Sequence, residues 1–561
     1  MPSGSVPTPG GTLRRAAVAN AAVHSWLEYG AVHLLFFIAA IWLQAPGTYS
    51  AELAGHPDEA AHYTTGLMVR DYIAAGLPGS PLRFAENYYL HYPQVALGHW
   101  PPVFYALQAL WTLPFSPTRL SLMLFMATIT ALVADTLYAT LRAEVTVPAA
   151  LTAGLLFVGL PIVRAQTSAV MAEMPLALFS FLAVRAFGRF MESERTRDTL
   201  AFGLWATLAI LTKGNGWALV ALPLLTVFIT GRLELVRRAA FWYPALLVAL
   251  FCAPWTAATM GVAANGMLYE PGATYTALAT RFYAYALVTL LAFPLTCLAL
   301  LGVYAYVVVP RMRGRVVGVW PSLAAWIVVL WAFHALVPAG LERRHVVGGA
   351  IPLVIFATAG LWWAAKRLAP GKATMLVTIV TGTAFLLECS AMPPKRHYGF
   401  APLAVQLLER QDLSDSVFLV SSEADGEGML VSEIAMHEAR PGHIVLRARK
   451  LLAQGDWIGR AYRSAYRTPE AIQRVLENIP VGVVAVEITR GATPIQHHRL
   501  IIAMLRQHPE RWRHLATFRA DPKPGRPSRV LVYELIGHQA RPRGAIHLDL
   551  RDRIGVEIEH R

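Results

Sequence analysis

The sequence predicts a polytopic α-helical membrane protein with about eleven transmembrane helices, followed by a water-soluble α/β domain. Of its 561 residues, 55% are apolar and 15% charged, and the mean hydropathy is +0.44, too apolar for a soluble enzyme of this length. The Lys and Arg residues behind the net charge of +14 fall in small groups between apolar stretches. That pattern sets membrane topology and argues against nucleic acid as a partner. Charge density changes near residue 394: residues 1–394 carry 24 Lys/Arg and 16 Asp/Glu, whereas the much shorter segment 395–561 carries 25 and 19. The second segment is therefore read as soluble. Cys252, Cys297 and Cys389 all lie in apolar stretches, which leaves neither a disulfide framework nor a Cys-x-x-Cys metal site. They are expected to be small core hydrophobes.

The chain begins with a Pro- and Gly-rich stretch without apolar periodicity, read as a disordered cytoplasmic tail over residues 1–23 that carries Arg14 and Arg15. The apolar run Val32–Ala45 has the length of a signal-peptide core or of a slightly short span. The Arg pair before it and the many spans after it favour an uncleaved first span with its amino terminus inside. Ten further spans are expected near 120–141, 149–163, 174–190, 199–212, 216–231, 239–258, 284–308, 319–338, 346–365 and 373–391. The loops that would face the cytoplasm then hold sixteen basic residues, against eight on the other side up to residue 394, in keeping with the positive-inside rule. Pro101–Phe115 is apolar and aromatic but too short to span. It is read as a juxtamembrane or half-inserted outer helix starting at Pro101-Pro102. An odd number of spans places the loop 46–119 and the segment 395–561 together outside the cytoplasm, in a multi-pass protein of the cell (inner) membrane.

Residues 395–561 alternate between strand and helix patterns. Strands are predicted at Val417–Ser422, His443–Arg447, Val481–Ile488, Leu515–Phe518 and Arg529–Leu535, with helices near Met429–Met436, Pro469–Asn478 and His498–Gln507. The amino-terminal portion implies a small α/β layer with a largely parallel sheet. No internal repeat of fixed period is visible. Gly426-Glu427-Gly428 after the first strand resembles a phosphate-binding turn only weakly, and an ordinary strand-to-helix turn is favoured.

Candidate chemistry lies on the outer face. His56-Pro57-Asp58-Glu59-Ala60-Ala61-His62-Tyr63 opens the first outer loop with two adjacent carboxylates, either of which suits a general base toward a hydroxyl. By spacing alone, a helix start with acids facing the dipole explains them as well. Asn87–Pro93 and Gly98-His99-Trp100-Pro101-Pro102-Val103-Phe104-Tyr105 are aromatic and His-rich, fitting either an interfacial belt or sugar stacking. Glu173, in Ala172-Glu173-Met174-Pro175, sits at the outer mouth of the fourth span, where an ionisable group is costly enough to suggest function. Asp135 and Glu388, also at membrane level, are read as structurally paired. Lys213, in Leu211-Thr212-Lys213-Gly214-Asn215-Gly216, and Arg343-Arg344-His345 are cations on the face that topology disfavours. A lipid phosphate is the natural counter-anion.

In order, these motifs resemble the C-type glycosyltransferases of the protein O-mannosyltransferase and aminoarabinose-transferase kind, over roughly residues 24–390. The resembling features are Asp58-Glu59, His99-Trp100-Pro101-Pro102 through Tyr105, Glu173-Met174-Pro175, Leu211-Thr212-Lys213-Gly214, and Arg343-Arg344-His345 before Pro352. The resemblance implies the C-type glycosyltransferase fold and a polyprenyl-phosphate-linked sugar donor. It implies transfer to a lipid, glycan or protein acceptor on the non-cytoplasmic side. By the same carry-over Asp58 matches the catalytic acid, with Glu59 in reserve. Glu173 matches a second acid, and Lys213 with Arg343 and Arg344 would face the donor phosphate. At His99-Trp100 this chain departs from the aminoarabinose transferases, which carry an acidic-basic pair there, so their lipid A acceptor does not carry over. No cofactor and no metal are expected, since cations suffice for a monophosphate leaving group.

Two other classes compete. A lipid-linked substrate transporter or flippase would show paired repeats and broken midplane helices, and neither pattern is visible. A membrane scaffold for a binding domain at 395–561 would keep no activity in residues 1–394.

Overall fold

The computed structural model describes residues 10–537 apart from 55, 97, 315–317, 391, 456–459, 480 and 524–525, together with the strands Ile546–Leu550 and Val556–His560. Each apolar stretch expected to cross the membrane is helical over most of its length. Among the described residues seven helices are long and apolar enough to span. An eighth is the pair Val147–Gly159 and Pro161–Thr167, bent by 66° where Pro161 cannot donate into the helix before it. The other three expected spans are shorter: Trp26–Trp42, Gly214–Thr230 and Thr196–Thr212.

Two expectations need correction. Residues 1–9 lie outside the described residues, but the tail read as disordered to residue 23 is helix from Gly10, because Ala16, Ala17, Ala19, Ala21 and Ala22 are strong helix formers. The span drawn at 284–308 is two helices, Ala273–Val288 and Phe293–Met312. Pro294 in the first turn of the second removes the amide that would have continued the ladder.

Between helices the bundle relies on glycine. A Cβ on Gly302 would stand 2.0 Å from the Phe356 carbonyl oxygen, and one on Gly360 2.2 Å from that of Leu298. The helices 293–303 and 350–368 therefore touch backbone to backbone. Asp135 pairs with His33 at 2.6 Å, as expected of a membrane-level acid. No ion pair to Glu388 occurs among the described residues; its carbonyl accepts from Arg164. Cys252 is buried and Cys389 half-buried, while Cys297 is exposed on its helix.

The loop 46–119, expected on the outer side, folds into three helices, Glu59–Ala74, Pro81–His91 and Val103–Thr112, the last being the short apolar segment expected there. Beyond the spans, five strands form one sheet: β1 (Val417–Ser421), β2 (Val445–Arg447), β3 (Val481–Thr489), β4 (Trp512–Lys523) and β5 (Arg526–Leu535), in the order β2-β1-β3-β5-β4. β1 is parallel to β2 and β3, but β3–β5 and β4–β5 are antiparallel. The sheet is therefore mixed, because the last two strands are joined by a short hairpin and cannot run parallel. Helices Ala424–His437, Pro469–Asn478 and Gln496–Gln507 cover it.

The sheet domain sits on the outer loop through buried charge. Arg440 grips both oxygens of Asp71, at 2.7 and 3.3 Å, Arg119 pairs with Glu433, and Tyr92 donates to Glu438 at 2.6 Å. Glu52, almost fully buried, accepts the amides of Tyr398 and Ala401 at the start of helix Phe400–Leu408. It satisfies donors that a helix start leaves open. Gly428, which the sequence grouped into a weak phosphate-binding turn, instead lets Gln94 of the loop approach to within 2.7 Å of where a Cβ would lie. Gly426 likewise admits the Ser422 hydroxyl.

Candidate active site

Asp58 is the N-cap of helix Glu59–Ala74, yet its carboxylate makes no capping bond. It turns outward instead, accepting from Arg344 Nη2 at 3.0 Å and lying 3.2 Å from His56 Nδ1. Glu173 occupies the first turn of helix Glu173–Ser193 and is 2% exposed. Its Oε1 accepts from Lys213 Nζ at 2.6 Å and lies 3.3 Å from Arg344. Glu342 pairs with Arg344 and stands 3.3 Å from His56 Nε2. Side chains from four remote segments thus meet in one cluster of three carboxylates, a guanidinium, an ammonium and an imidazole.

Local sequence explains the convergence. Lys213 ends helix Thr196–Thr212 in an extended conformation. Gly216 then lets the chain fold back, since a Cβ there would meet the Ala209–Ile210 backbone at 2.6 Å. That turn aims the ammonium at Glu173. Arg344 lies in the tight turn Arg343–Gly349 that leads into the next span, with room to reach both acids.

Electrostatically, burial would raise the Asp58 carboxyl, but its hydrogen bond to His56 and the positive charges of His56 and Arg344 hold it well below the usual carboxylate range. Burial would lower His56, yet hydrogen bonds to Asp58 and Glu342 lift it to about 9. At neutral pH Asp58 is therefore ionised and His56 protonated. Several buried atoms nevertheless lack any hydrogen-bond partner: Glu173 Oε2, Arg344 Nη1, His62 Nε2 and the Asn215 amide nitrogen. A cavity of about 20 Å³ beside Glu173, Asn215, Arg344 and His345 has room for roughly one water molecule.

The aromatic stretch closes one side. Tyr105 bonds His62 Nδ1 at 2.9 Å, and the His62 ring lies 4.2 Å from that of Trp100. Burial drives His62 down to about 3 and also lowers His99, which stands edge-on to Trp100 and feels the charges of Asp58 and Lys213. His345 is bonded to Tyr283 at 2.9 Å and stacked on His334.

Two of the sequence candidates stay apart. Glu59, fully buried, faces the other way, accepting from the Val170 amide and from Lys395 at 3.1 Å each. It ties the chain after the last span to the outer loop. Arg343 is exposed and bonds Thr289. Conversely, His56, His62 and Glu342 were not singled out by the sequence. His62 lies one helical turn after Asp58, so its presence on the same face could have been read from spacing. Glu342 is fixed by tertiary contacts alone. Among the described residues no three His, Cys, Asp or Glu side chains converge as metal ligands would.

Residues 99–257 match the family model described as dolichyl-phosphate-mannose-protein mannosyltransferase. No curated protein matches the chain by sequence. Among solved structures, ArnT from Cupriavidus metallidurans bound to undecaprenyl phosphate matches with a TM-score of 0.55 at 13% identity, covering 91% of this chain and 98% of that one. Its apo form matches with a TM-score of 0.55 at 14% identity, with the same coverage. The fold expected from the motifs is thus the fold observed, with the soluble domain included in the match. The chain is thus similar in fold to ArnT along nearly its whole length, and within it residues 99–257 are similar to the mannosyltransferase family.

Proposed function

We propose that the protein moves a sugar from a polyprenyl-phosphate donor to an acceptor hydroxyl on the non-cytoplasmic face, with Asp58 as general base. The observation that carries this reading is the convergence of Asp58, Glu173, Lys213 and Arg344 around buried polar atoms left without partners. Such atoms cost free energy unless a ligand satisfies them. That a protein of the same fold, ArnT, was crystallised with undecaprenyl phosphate supports the donor class. The outer loop 46–119 and residues 395–561 would lie outside the cytoplasm, above a catalytic core formed by residues 24–394.

The cluster's charge balance suggests how the base is switched on. Without donor, Arg344 is shared among Asp58, Glu173 and Glu342, and Asp58 is a poor proton acceptor. The adjoining cavity is too small for a phosphate, so the donor phosphodiester must draw Arg344 and Lys213 onto itself. As Arg344 turns to the phosphate, Asp58 loses a counter-charge and its proton affinity rises. Asp58 then takes the proton of the acceptor hydroxyl while that oxygen forms its bond to the anomeric carbon. The bond from that carbon to the phosphate oxygen breaks, and the charge growing on the departing polyprenyl phosphate rests on Lys213 and Arg344.

Incubating the purified protein with a panel of radiolabelled polyprenyl-phosphate sugars, with and without candidate acceptors, tests this. Consumption of one donor and release of polyprenyl phosphate is the expected result. Passage of donor across a vesicle bilayer without its breakdown would instead support a transporter.

A further inference from the structure

A second site lies in the sheet domain, away from Asp58. Strand β1 leads through helix 424–437 to β2 on one side, whereas β3 joins β1 on the other. The chain thus leaves the carboxyl ends of these two parallel strands in opposite directions, which opens a crevice there. A cavity of about 700 Å³ occupies it, lined by Ser422 and Glu423 past the end of β1, by Glu487–Thr489 of β3, and by helix 496–507. That volume is within the usual range for ligand sites, and no residue of the Asp58 cluster contributes to it.

The lining divides by chemistry. Arg499 and Arg506, two turns apart on one face of the helix, are exposed at the rim, and neither has a carboxylate partner among the described residues. Deeper in, the buried Glu487 carboxylate accepts from Ser422 and, at 2.7 Å, from Ser528. His498 is locked between Ser421 at 2.7 Å and the Glu487 carbonyl at 2.8 Å. Thr489 and Thr493 also line the cavity, together with Ile488, Ile495 and Ile502.

We propose that this crevice binds a saccharide bearing a carboxylate or phosphate. Arg499 and Arg506 at the rim, with Arg449 also in the lining, supply the counter-charge for an anion, while the carboxylates Glu423, Asp425 and Glu487 line the same cavity. A bare inorganic anion would meet repulsion from Glu423, Asp425 and Glu487, whereas sugar hydroxyls can donate to these carboxylates. Isoleucines cover the C–H face of a sugar ring. Among the described residues no Phe, Tyr or Trp lines the cavity, and the one imidazole, His498, is held by its own hydrogen bonds, which disfavours a nucleobase. The site does not depend on the reading of Asp58: it would hold its ligand whatever the membrane core transfers.

The test uses the full-length protein in detergent, titrated calorimetrically with trigalacturonate, maltotriose and inorganic phosphate. Saturable trigalacturonate binding is expected, about tenfold or more tighter than either of the others, and weakened about tenfold or more in Arg499→Glu/Arg506→Glu. Both arginines are exposed, so the fold should survive. Ala492→Trp, in the exposed loop over the cavity, should block binding by filling it, while Asp58→Asn should leave it unchanged. The proposal is overturned by absent trigalacturonate binding, by equal binding of maltotriose or phosphate, or by insensitivity to both cavity variants. It is also overturned if the arginine pair governs only attachment to phosphatidylglycerol vesicles, since these residues would then mark a lipid-facing surface.

Discussion

In the seam between the outer loop and the sheet domain, Arg440 places its guanidinium on both oxygens of Asp71 and on the carbonyls of Ala435 and Glu438. In the Asp58 cluster, Arg344 is divided among three carboxylates and still leaves Nη1 without a hydrogen bond. Both regions bury charge and join segments remote in sequence. In the seam Arg440 is matched with one acid and closed by backbone carbonyls, which suits a contact that holds two parts together. The cluster keeps surplus donors and acceptors, which suits a place where a further charged group arrives. The comparison predicts that substitutions in the cluster change chemistry and donor affinity, whereas substitutions in the seam change stability.

The largest effect should follow Asp58→Asn, which removes the proton acceptor and keeps the shape. Positioned general bases contribute on the order of 10²–10⁴ in rate, so donor consumption should fall by at least 10²-fold with the thermal unfolding midpoint near that of the parent. Turnover at the parent's rate would exclude Asp58 as base. Glu59→Gln should instead lower stability, because its Lys395 partner at 10% side-chain exposure would keep a buried, unpaired charge.

Next come the cations. If Lys213 and Arg344 hold the donor phosphate, each charge-assisted contact contributes roughly 1.5–3 kcal/mol. Lys213→Ala or Arg344→Ala should then weaken apparent donor affinity about tenfold or more. Arg344→Lys should also be impaired, since an ammonium cannot serve several acids at once as the guanidinium fork does. Arg343→Ala, at an exposed side chain, should stay within a factor of a few. Titrating donor against the four variants decides between a phosphate site and ordinary interfacial charge. Parent-like values throughout would leave the cluster without this role.

The seam is tested by Arg440→Ala. It takes one of two guanidiniums off the Asp71 carboxylate, 13% exposed, which keeps Arg70 at 2.7 Å and Tyr88 at 3.0 Å, so the cost should stay below the roughly 3–5 kcal/mol of a buried charge left wholly unpaired. Thermal unfolding should shift down while donor affinity in the surviving folded protein stays unchanged. A matching collapse of donor affinity would mean that the two networks are one.

How far the sequence could see differs between these regions for the same physical reason. Spans, strands and the outer helix were legible because each is encoded locally, by an apolar run, an alternation or a proline. Pro469–Asn478 was placed to the residue. Glu173, Lys213 and Arg344 stood out because each breaks a local rule, an acid or cation where the membrane disfavours one, whereas Asp58, which spacing alone explains as a helix start, was singled out only by the family resemblance. Neighbours in sequence could not be ranked that way. Asp58 and Glu59, or Arg343 and Arg344, diverge because successive helical positions point about 100° apart, and only the packing of other segments says which is turned toward the cluster. The seam was invisible: Asp71 and Arg440 are ordinary surface residues until 369 positions of chain bring them together.

The smallest expected effect concerns His56, and it probes the cluster without a mutation. Its folded value of about 9 lies above the ordinary 6.5 because hydrogen bonds to Asp58 and Glu342 outweigh burial. A raised imidazole contributes stability that is fully present below its unfolded value and is lost as pH rises through its folded one. The cluster should thus loosen between about pH 6.5 and 9. Over that window the charge on His56 that helps hold Asp58 down also disappears, so the Asp58 carboxylate becomes a better base while donor phosphate meets one cation fewer nearby. The rate at saturating donor should rise modestly toward pH 9 while apparent donor affinity falls, each by a factor of a few, and thermal unfolding should shift slightly downward. His56→Gln, which carries no charge at any pH, should show these values already at pH 6.5 and flatten both trends. Equal pH dependence in His56→Gln and the parent would assign the titration to another group and remove His56 from the cluster's working parts.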